Sequence, residues 1–459
     1  MGPGPECAQM RKLLVALLAL VLGVPAGVAT AEPGSTPPTA GEYLDSLVSR
    51  SPAPEYRRYG TTAMADVADW AAGRLASAGY RMVRDDEATA NRWAVDYTAG
   101  HQPLLTSGAQ SYKTESAFDT GTTDSTGITC TLKKIADVGK GDCGFVPFSD
   151  GSPEWKNPTY NAPADIAKIV QQGGVGVVVQ GDTQRDLVYA LRPRTTIPTV
   201  VSVVPDTIVG QTVTLRAMGS SMAATSHNVV GILPAPPGST KYIALTAHMD
   251  GWFQAAADNG GGAAAVLRAA GLLAAQHPQA GVFIGLMDGE EYGLLGSQKL
   301  AAKLGTTGIG GVHMGDLKAL VNLDASSARA SDVQNTVKSF AGRDAPLFSW
   351  RAMVSSEEPT LTSLFLTTFA AHQVLGLPVT SEVAKATIGG GSWRTDAQWF
   401  HEAGVPAAWP VAGYPEYLTD GDLPSAMDKA DLENVAEAAA DLVAKLATAP
   451  IQPVPQQFR

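Results

Sequence analysis

Histidine and carboxylate side chains follow several apolar segments in the second half of this 459-residue chain. The residues concerned are His248, Asp250, Asp258, Glu290, Glu291 and Asp324. Imidazole nitrogens and carboxylate oxygens are ligands that zinc accepts readily in proteins. A further carboxylate that stays free can act as general base for a metal-bound water. These residue types therefore predict a zinc centre with a general base, provided that the fold brings them together.

The apolar segments before these side chains are typical of buried strands that alternate with helices. Strands are predicted at 242–247, 282–287, 319–323 and 407–411, and helices at 262–275, 292–304, 361–375 and 431–446. This alternation predicts an α/β fold with a mixed, mostly parallel sheet flanked by helices on both faces. Ligands bind beyond the carboxyl ends of the strands in such sheets, and the polar side chains fall at those ends.

Each of these residues also has an ordinary structural interpretation. A histidine at a strand end is often structural, paired glutamates suit a solvated helix start, and Asp258 or Asp324 alone suits an N-cap or a turn. Four independent positions would have to coincide for that interpretation, so the metal centre is favoured. Asp250 lies two residues beyond His248 and is placed to accept the second ring N–H.

The region before this α/β alternation has a different composition. Residues 40–80 are predicted to be helical, whereas residues 105–226 are first rich in Ser, Thr and Gly and then β-rich. Within the latter region, a helix is predicted at 164–172 with Pro163 at its start, followed by a buried strand at 175–179. We therefore predict a separate β-rich domain inserted into the α/β domain.

The N-terminus has the features of a signal peptide. Met10-Arg11-Lys12 is basic, residues 13–22 are apolar but too few to span a bilayer, and Ala29-Thr30-Ala31 fits a cleavage site. Either Met1 or Met10 could be the start. We expect residues 1–31 to be removed and the mature protein to be secreted, with no transmembrane segment.

Two cysteines would remain after that cleavage. Cys7 leaves with the signal peptide, and Cys130 and Cys143 stay in an oxidising compartment. A disulfide between them is the natural interpretation. The alternative is a pair of free buried thiols.

Composition excludes several classes of protein. Apolar residues make up 45% and charged residues 17%, which argues against a disordered chain or a coiled coil. The chain has 33 Lys and Arg against 44 Asp and Glu, a net charge of −11. Because nucleic-acid binders usually carry a basic surplus, no nucleic-acid partner is expected. The oligomeric state stays open.

The segments that carry these residues resemble the zinc-dependent M28 peptidases, the group of bacterial aminopeptidases and glutamate carboxypeptidases. Matching segments are 246–250, 258–262, 288–297, 321–324 and 400–406, which together cover most of residues 228–447 in order. The block at 128–226 resembles the protease-associated domain that is often inserted in this family. Its marks are AKIVQQGGVGVVVQ and the later IPTVVS.

The resemblance implies domain boundaries and an activity. After the signal peptide that residues 1–31 predict, it implies a peptidase domain at 32–104 and 227–450, an inserted protease-associated domain at 105–226, and a tail at 451–459. The implied activity is that of an exported zinc-dependent exopeptidase acting on a peptide or aminoacyl substrate, and we expect an aminopeptidase.

The resemblance also implies a role for each site residue. His248 and Asp324 would bind one zinc ion, Asp258 would bridge to a second, and Glu291 would bind that second ion. Glu290 would be the general base.

The chain departs from the family pattern at the second zinc. Leu418 stands where the family has a histidine ligand, and Thr395-Asp396-Ala397 replaces Ser-Asp-His. One interpretation is a hydrolase with one tightly bound zinc and a weak or absent second ion. In another, Asp420, Asp422 or His401 is a substitute ligand, although a surface helix histidine is the plainer interpretation of His401. A third interpretation is a catalytically impaired binding or scaffold protein.

Substrate specificity is open between aminopeptidase and carboxypeptidase. Arg351 and Arg394 could hold a substrate carboxylate, although a surface position is the plainer interpretation of both. Residues 325–360 could shape the specificity pocket. Tryptophans that could line it are Trp252, Trp350 and Trp393.

Overall fold

Two eight-stranded sheets organise the chain in this computed structural model. The structure describes residues 37–88, 91–148, 158–327, 351–387, 393–414 and 416–454. The predicted signal peptide, Trp350 and the last residues of the predicted tail lie outside these ranges. Among the helices that are described, none is both long and apolar enough to cross a bilayer.

Helices occur throughout the described ranges. They are α1 (Ala40–Ser49), α2 (Thr62–Ser77), α3 (Pro158–Gln171), α4 (Gly262–Gln276), α5 (Leu295–Gly305), α6 (Pro359–Ala371), α7 (Ser381–Thr387), α8 (Ala397–Glu402) and α9 (Lys429–Thr448). The helical region predicted at 40–80 is thus two helices. Pro52 and Pro54 fall between them, and each lacks the N–H that would continue a helix.

The strands in chain order divide between the two sheets and one short ribbon. They are β1 (Arg81–Ala88), β2 (Arg92–Val95), β3 (Leu104–Ser107), β4 (Gln110–Ser111), β5 (Thr114–Ser116), β6 (Ile128–Lys134), β7 (Cys143–Val146), β8 (Gly176–Gln180), β9 (Thr199–Ser202), β10 (Thr212–Arg216), β11 (Gly219–Met222), β12 (Thr225–Leu233), β13 (Tyr242–His248), β14 (Gly281–Met287), β15 (Leu317–Asn322), β16 (Arg351–Ser355), β17 (Leu377–Thr380) and β18 (Ala407–Ala412).

The first sheet is mixed, and parallel pairs are its majority. Its order is β1-β12-β14-β13-β15-β18-β16-β17. The pairs β13–β14, β13–β15, β15–β18 and β16–β17 are parallel, whereas β1–β12, β12–β14 and β16–β18 are antiparallel. The predicted fold class, a mixed and mostly parallel sheet in an α/β fold, is confirmed. Because β14, β13 and β15 are neighbours, their carboxyl ends meet at one edge.

Helices cover both faces of this sheet. Side chains alternate along β13, so Ile243 and Leu245 join one buried cluster and Ala244 joins another. The first cluster packs against α1, α2, α4, α6 and α9. The second packs against α5 and α8. Burial on both faces explains why these strands are continuous apolar runs.

Two helices begin furthest from the residues at which the sequence predicts them to start. The helix predicted from Tyr292 begins at Leu295, because Gly293 and Leu294 have left-handed backbone conformations, with φ of 103° and 61°. The helix predicted with Pro163 at its start begins at Pro158 and includes Pro163. Its fixed φ fits a helix, at the loss of one backbone hydrogen bond.

The second sheet is built from residues between Leu104 and Arg216. Its order is β4-β3-β10-β6-β7-β8-β9-β5, and β6 to β9 are parallel neighbours. Cys130 on β6 and Cys143 on β7 form a disulfide with a Cα separation of 5.7 Å. The ribbon of β2 and β11 connects this sheet to the first one.

Candidate metal centre

His248, Glu290 and Asp324 meet at the carboxyl edge of the first sheet. One ligand atom from each of these residues lies within 4.8 Å of the other two. His248 ends β13, Glu290 follows β14 and Asp324 follows β15, so the neighbouring strands bring them together. This is the edge at which the sequence places a metal centre.

His248 is fully buried and faces carboxylates through both ring nitrogens. Its Nε2 lies 3.2 Å from Asp258 Oδ1 and 3.4 Å from Asp324 Oδ1. Its Nδ1 lies 3.1 Å from the backbone oxygen of Asp250 and 3.4 Å from the carboxylate of that residue. When Nδ1 carries the proton and Asp250 accepts it, the Nε2 lone pair faces Asp258 and Asp324, as metal binding requires.

Asp250 also positions the two adjacent glutamates. Its carboxylate accepts a hydrogen bond from the backbone N–H of Glu290 at 3.1 Å and from that of Glu291 at 3.3 Å. The residue therefore holds both the imidazole and the turn that follows β14. A substitution of Asp250 would therefore displace His248, at the end of β13, and the two glutamates that follow β14.

Glu290 and Glu291 have different surroundings. Trp252 donates its indole N–H to Oε2 of Glu291 at 2.8 Å, while Oε1 of Glu291 is buried and makes no hydrogen bond. Burial raises the pKa of Glu291, and the Asp258 charge adds most to that rise. Burial also raises the pKa of Glu290, which His248 opposes and Glu291 reinforces. A raised pKa makes a carboxylate a stronger base toward water.

A buried arginine balances part of this negative charge. Arg57 donates from Nε to the backbone oxygen of Met249 at 2.6 Å and from its other nitrogens to the backbone oxygens of Gln254 and Ala255. Burial lowers the pKa of Arg57 to about 10, and Asp422 is the first of the carboxylates that oppose this. No sequence motif marks this residue, since its partners are backbone groups about two hundred positions away.

Asp422 fixes the backbone of the loop that carries Asp258. Its two carboxylate oxygens accept hydrogen bonds from the N–H groups of Ala257, at 2.7 Å, and Asp258, at 3.0 Å. The Tyr414 hydroxyl donates to the same carboxylate at 3.1 Å. Burial raises the pKa of Asp422 to about 7. Because its oxygens are already engaged, Asp422 is not placed as a substitute metal ligand.

The same loop is anchored to β15 by Asn259. Its side chain donates to the backbone oxygen of Leu323 at 2.8 Å and accepts from Gly262 at 3.0 Å. A Cβ at Gly262 would lie 2.2 Å from Asn259 Oδ1 and 2.3 Å from Leu323 O. Only glycine therefore allows this close approach.

Asp324 is held by the segment that replaces Ser-Asp-His. The Thr395 hydroxyl donates to Asp324 Oδ2 at 2.7 Å and accepts from the Asn322 amide at 2.7 Å. The next residue, Asp396, is also buried, and burial raises its pKa to about 7. The Thr395 hydroxyl group therefore holds the Asp324 carboxylate in position.

These donor groups fit a divalent cation. His248 Nε2 and Glu291 Oε1 are buried without a hydrogen-bond partner, which is costly unless a bound group completes them. Several buried carboxylates crowd around them, and a cation relieves that repulsion. His248, Asp258 and Asp324 would hold one zinc ion, and Asp258 with Glu291 would hold a second.

Leu418 adds no ligand to the second position. The residue is 8% exposed, has a left-handed backbone with φ of 57°, and packs in a cluster that includes Trp252 and Tyr292. Its backbone oxygen accepts a hydrogen bond from Ala190 at 2.8 Å. Asp420, another predicted substitute, lies 2.6 Å from the Lys113 ammonium group.

Two predicted surface positions are wrong. His401 is only 1% exposed, since its ring stacks on that of Trp393 with centroids 4.1 Å apart. Arg351 is 3% exposed, donates to the Ser326 backbone oxygen at 2.9 Å and pairs with Asp431. Arg351 therefore has a structural role.

The other residues that the sequence offers for substrate specificity lie in different surroundings. Arg394 is exposed, as predicted. Trp393 stacks on Trp409, whereas Trp252 contacts the ligand candidate Glu291. Most of the predicted specificity segment, 328–350, lies outside the described residues.

Comparisons with known proteins concern the family of residues 228–443 and the fold of the chain. Residues 228–443 match the family described as peptidase family M28. The zinc aminopeptidase BSAP from Bacillus subtilis is similar in structure, with a TM-score of 0.64, 17% identity and coverage of 93% of this chain and 100% of that one. A peptidase M28 precursor from Shewanella amazonensis SB2B gives a TM-score of 0.70 and 17% identity over 91% of this chain and 95% of that one.

An aminopeptidase from Aneurinibacillus sp. strain AM-1 gives a TM-score of 0.58 and 17% identity over 91% of this chain and 96% of that one. No curated protein sequence matches the chain. The fold is that of the zinc exopeptidases. The match to the peptidase family M28 model is confined to residues 228–443.

Proposed function

We propose that this protein is an exported zinc-dependent exopeptidase that releases residues from the amino ends of peptides. The observation that carries the proposal is the approach of His248 Nε2 to Asp258 and Asp324, with a ligand atom of Glu290 beside them. One zinc ion would be held tightly by His248, Asp258 and Asp324. The second ion would be weak or absent, because Leu418 offers no lone pair.

The proposed reaction assigns each side chain a task. Zinc, when bound, polarises the scissile carbonyl group and lowers the pKa of water. Glu290 takes the proton from the attacking water and returns it to the departing amine nitrogen. Asp250 holds His248 in one tautomer and fixes the backbone of Glu290.

The N-terminal and inserted segments belong to the same proposal. Residues 1–31 would direct export, and residues 105–226 would form a protease-associated domain. The Cys130–Cys143 disulfide supports an oxidising destination.

A second candidate function is a binding or scaffold protein without turnover. The burial of Leu418 among aromatic side chains favours it, because an apolar residue fills the place of a ligand. Against it, His248 Nε2 lies within 3.4 Å of both Asp258 and Asp324, as a zinc site needs.

Activity and zinc content together separate the two candidates. We expect the zinc-loaded protein to retain about one ion after dialysis, and to cleave aminoacyl p-nitroanilides but not their N-acetylated counterparts. Bound zinc without cleavage of either substrate would favour the scaffold. Absence of bound zinc would overturn the zinc assignment.

A further inference from the structure

Arg192, in the loop between β8 and β9 of the second sheet, contacts the turn that carries Glu290 and Glu291. Residues 288–294, between β14 and α5, are called the glutamate turn below. The Nη1 of Arg192 donates to the backbone oxygen of Tyr292 at 3.0 Å, and its guanidinium carbon lies 4.4 Å from the centre of the Tyr292 ring. One side chain from the second sheet thus holds both the backbone and the ring of the residue after Glu291.

Arg192 is oriented in turn by the segment that follows β5. Its Nε donates to the Asp119 carboxylate. The backbone oxygen of Leu191 accepts a hydrogen bond from Phe118 at 2.7 Å, and that of Asp119 accepts one from Thr195 at 3.0 Å. Because the guanidinium group is planar, its bond to Asp119 also fixes the direction of Nη1. Arg192 therefore forms a rigid connection from the second sheet to the glutamate turn.

A second contact reaches the side chain of Glu291 itself. Trp252 is 4% exposed and donates its indole N–H to Glu291 Oε2 at 2.8 Å. Its ring packs on that of Phe118, with centroids 4.3 Å apart, and on that of Tyr292 at 5.4 Å. Phe118 directly precedes Asp119, the partner of Arg192. The segment after β5 therefore supports the glutamate turn by two routes.

The glutamate turn contains a strained residue. Leu294 has a φ of 61°, which a residue with a side chain rarely adopts. Its N–H donates to the backbone oxygen of Glu290 at 2.8 Å. Such a conformation persists only where the surrounding contacts determine it. The bond from Arg192 to the Tyr292 oxygen, two residues before Leu294, is one of these contacts.

The position of the turn matters for proton transfer more than for the tightly held zinc. A displacement of about 1 Å in a reacting group can cost about 100-fold in rate. Glu290, the proposed base, belongs to the glutamate turn. The proposed ligands His248, Asp258 and Asp324 lie outside it, at the ends of β13 and β15 and in the loop before α4. Loosening the turn should therefore lower the rate and leave the first zinc ion in place.

We propose that Arg192 and Trp252 are positioning residues for the two glutamates. Arg192 fixes the backbone of the glutamate turn, and Trp252 fixes the carboxylate of Glu291. This inference rests on the proposed peptidase function and adds a dependence of its rate on the second sheet. Both residues act through the turn, and neither is assigned a contact with the substrate.

Hydrogen exchange tests this positioning without any turnover. In Arg192→Gln and in Trp252→Phe, we expect the amides of residues 288–296 to exchange at least about tenfold faster than in the wild type. The amides of β13 should keep their rates. Trp252→Phe keeps a ring between Phe118 and Tyr292 and removes only the N–H, so it tests the bond to Glu291 even if Arg192→Gln fails to fold. Unchanged exchange in both variants, or a rise spread evenly over both sheets, would overturn the proposal.

Two matched controls come from outside the glutamate turn. Arg216 on β10 also donates from Nε and Nη1, to the backbone oxygens of Gln102 and Ser125. Trp70 on α2 also packs on an aromatic ring, that of Tyr43. Arg216→Gln and Trp70→Phe should leave the exchange of residues 288–296 unaltered. Faster exchange there in the controls as well would contradict a specific role for Arg192 and Trp252.

Steady-state kinetics separates this inference from the proposed function. Arg192→Gln and Trp252→Phe should each lower kcat for an aminoacyl p-nitroanilide about tenfold, change KM less than about twofold and keep the tightly held zinc. The two controls should keep the wild-type kcat. Faster exchange in residues 288–296 of a protein that cleaves nothing would support the positioning and contradict the peptidase function. Cleavage with unchanged kcat and exchange in both variants would do the reverse.

Discussion

Lys113 and Asp420 form an ion pair of 2.6 Å that joins the second sheet to the segment before Asp422. The Asp420 carboxylate also accepts the Val188 N–H at 3.0 Å. Two residues later, Asp422 holds the N–H groups of Ala257 and Asp258. The second sheet is therefore connected to a candidate zinc ligand through a short run of hydrogen bonds.

Removal of Asp420 should loosen that connection. We expect Asp420→Ala to lower the free energy of unfolding by about 1–2 kcal/mol, because it leaves a backbone N–H without its acceptor. Zinc affinity should fall severalfold, since Asp258 becomes less well positioned. Urea unfolding and competition with a zinc-sensitive dye measure the two effects.

A matched control removes the acidic partner of another lysine in residues 105–226. Lys168 pairs with Asp165 on α3 and is more exposed than Lys113. Asp165→Ala should therefore change stability by less than about 0.5 kcal/mol and leave zinc affinity unaltered. Unchanged zinc affinity in Asp420→Ala would contradict the proposed connection.

Glu290 should be needed for turnover and not for zinc. Glu290→Gln keeps the shape of the side chain and removes the base, so we expect peptide hydrolysis to fall about 100-fold or more. The zinc content should stay near that of the wild type, because His248, Asp258 and Asp324 remain. Steady-state kinetics and elemental analysis of the same samples test both statements. Loss of the tightly held zinc would instead make Glu290 a ligand.

The sequence predicted the strands that deliver the site better than the residues that support it. The apolar runs that end at Ala247 and Met287 are each followed directly by a polar residue, His248 and Asp288, which is a local pattern. Arg57 and Asp422 support the same site through backbone groups far away along the chain, and no local pattern marks such contacts. Their roles depend on the folded chain.

At Leu418 the sequence predicts the missing ligand but not the local structure. The sequence shows that a ligand is absent there, but it does not show the left-handed backbone of Leu418, its burial, or its hydrogen bond with Ala190 in the segment between β8 and β9. The surface position predicted for His401 fails for a related reason. Its helix α8 is short and buried against Trp393, a contact that helical spacing does not indicate.

The zinc-free protein should lose stability as the pH rises, in part through Asp396. Burial raises the pKa of Asp396 to about 7, above its unfolded value of 3.8. Between these values the folded state binds more protons than the unfolded state, so the free energy of unfolding falls with rising pH. Asp396→Asn removes the titrating carboxyl group and with it this fall in the free energy of unfolding. The variant should therefore gain stability relative to wild type from pH 4 to pH 8, by up to about 1.4 kcal/mol per pH unit.

Denaturant unfolding with a chelator present, at several pH values, measures this difference. Zinc should reduce the pH dependence, because a nearby cation favours the charged carboxylate. A constant difference between Asp396→Asn and wild type across the pH range would show that Asp396 is ionised throughout.

Leu418→His should restore a ligand for the second zinc. Leu418 stands where the family pattern has a histidine ligand, and Glu291 Oε1 is buried without a hydrogen-bond partner, so an imidazole at position 418 would supply the missing donor. We expect the zinc content after dialysis to rise from about one ion to about two per chain.

Leu418→Phe is the matched control, since it adds a ring without a nitrogen, and it should leave the zinc content unchanged. Elemental analysis of the three proteins tests the prediction, and equal zinc in Leu418→His and Leu418→Phe would place the second site elsewhere. If the wild type is an impaired hydrolase, cleavage of aminoacyl substrates should rise together with the second zinc.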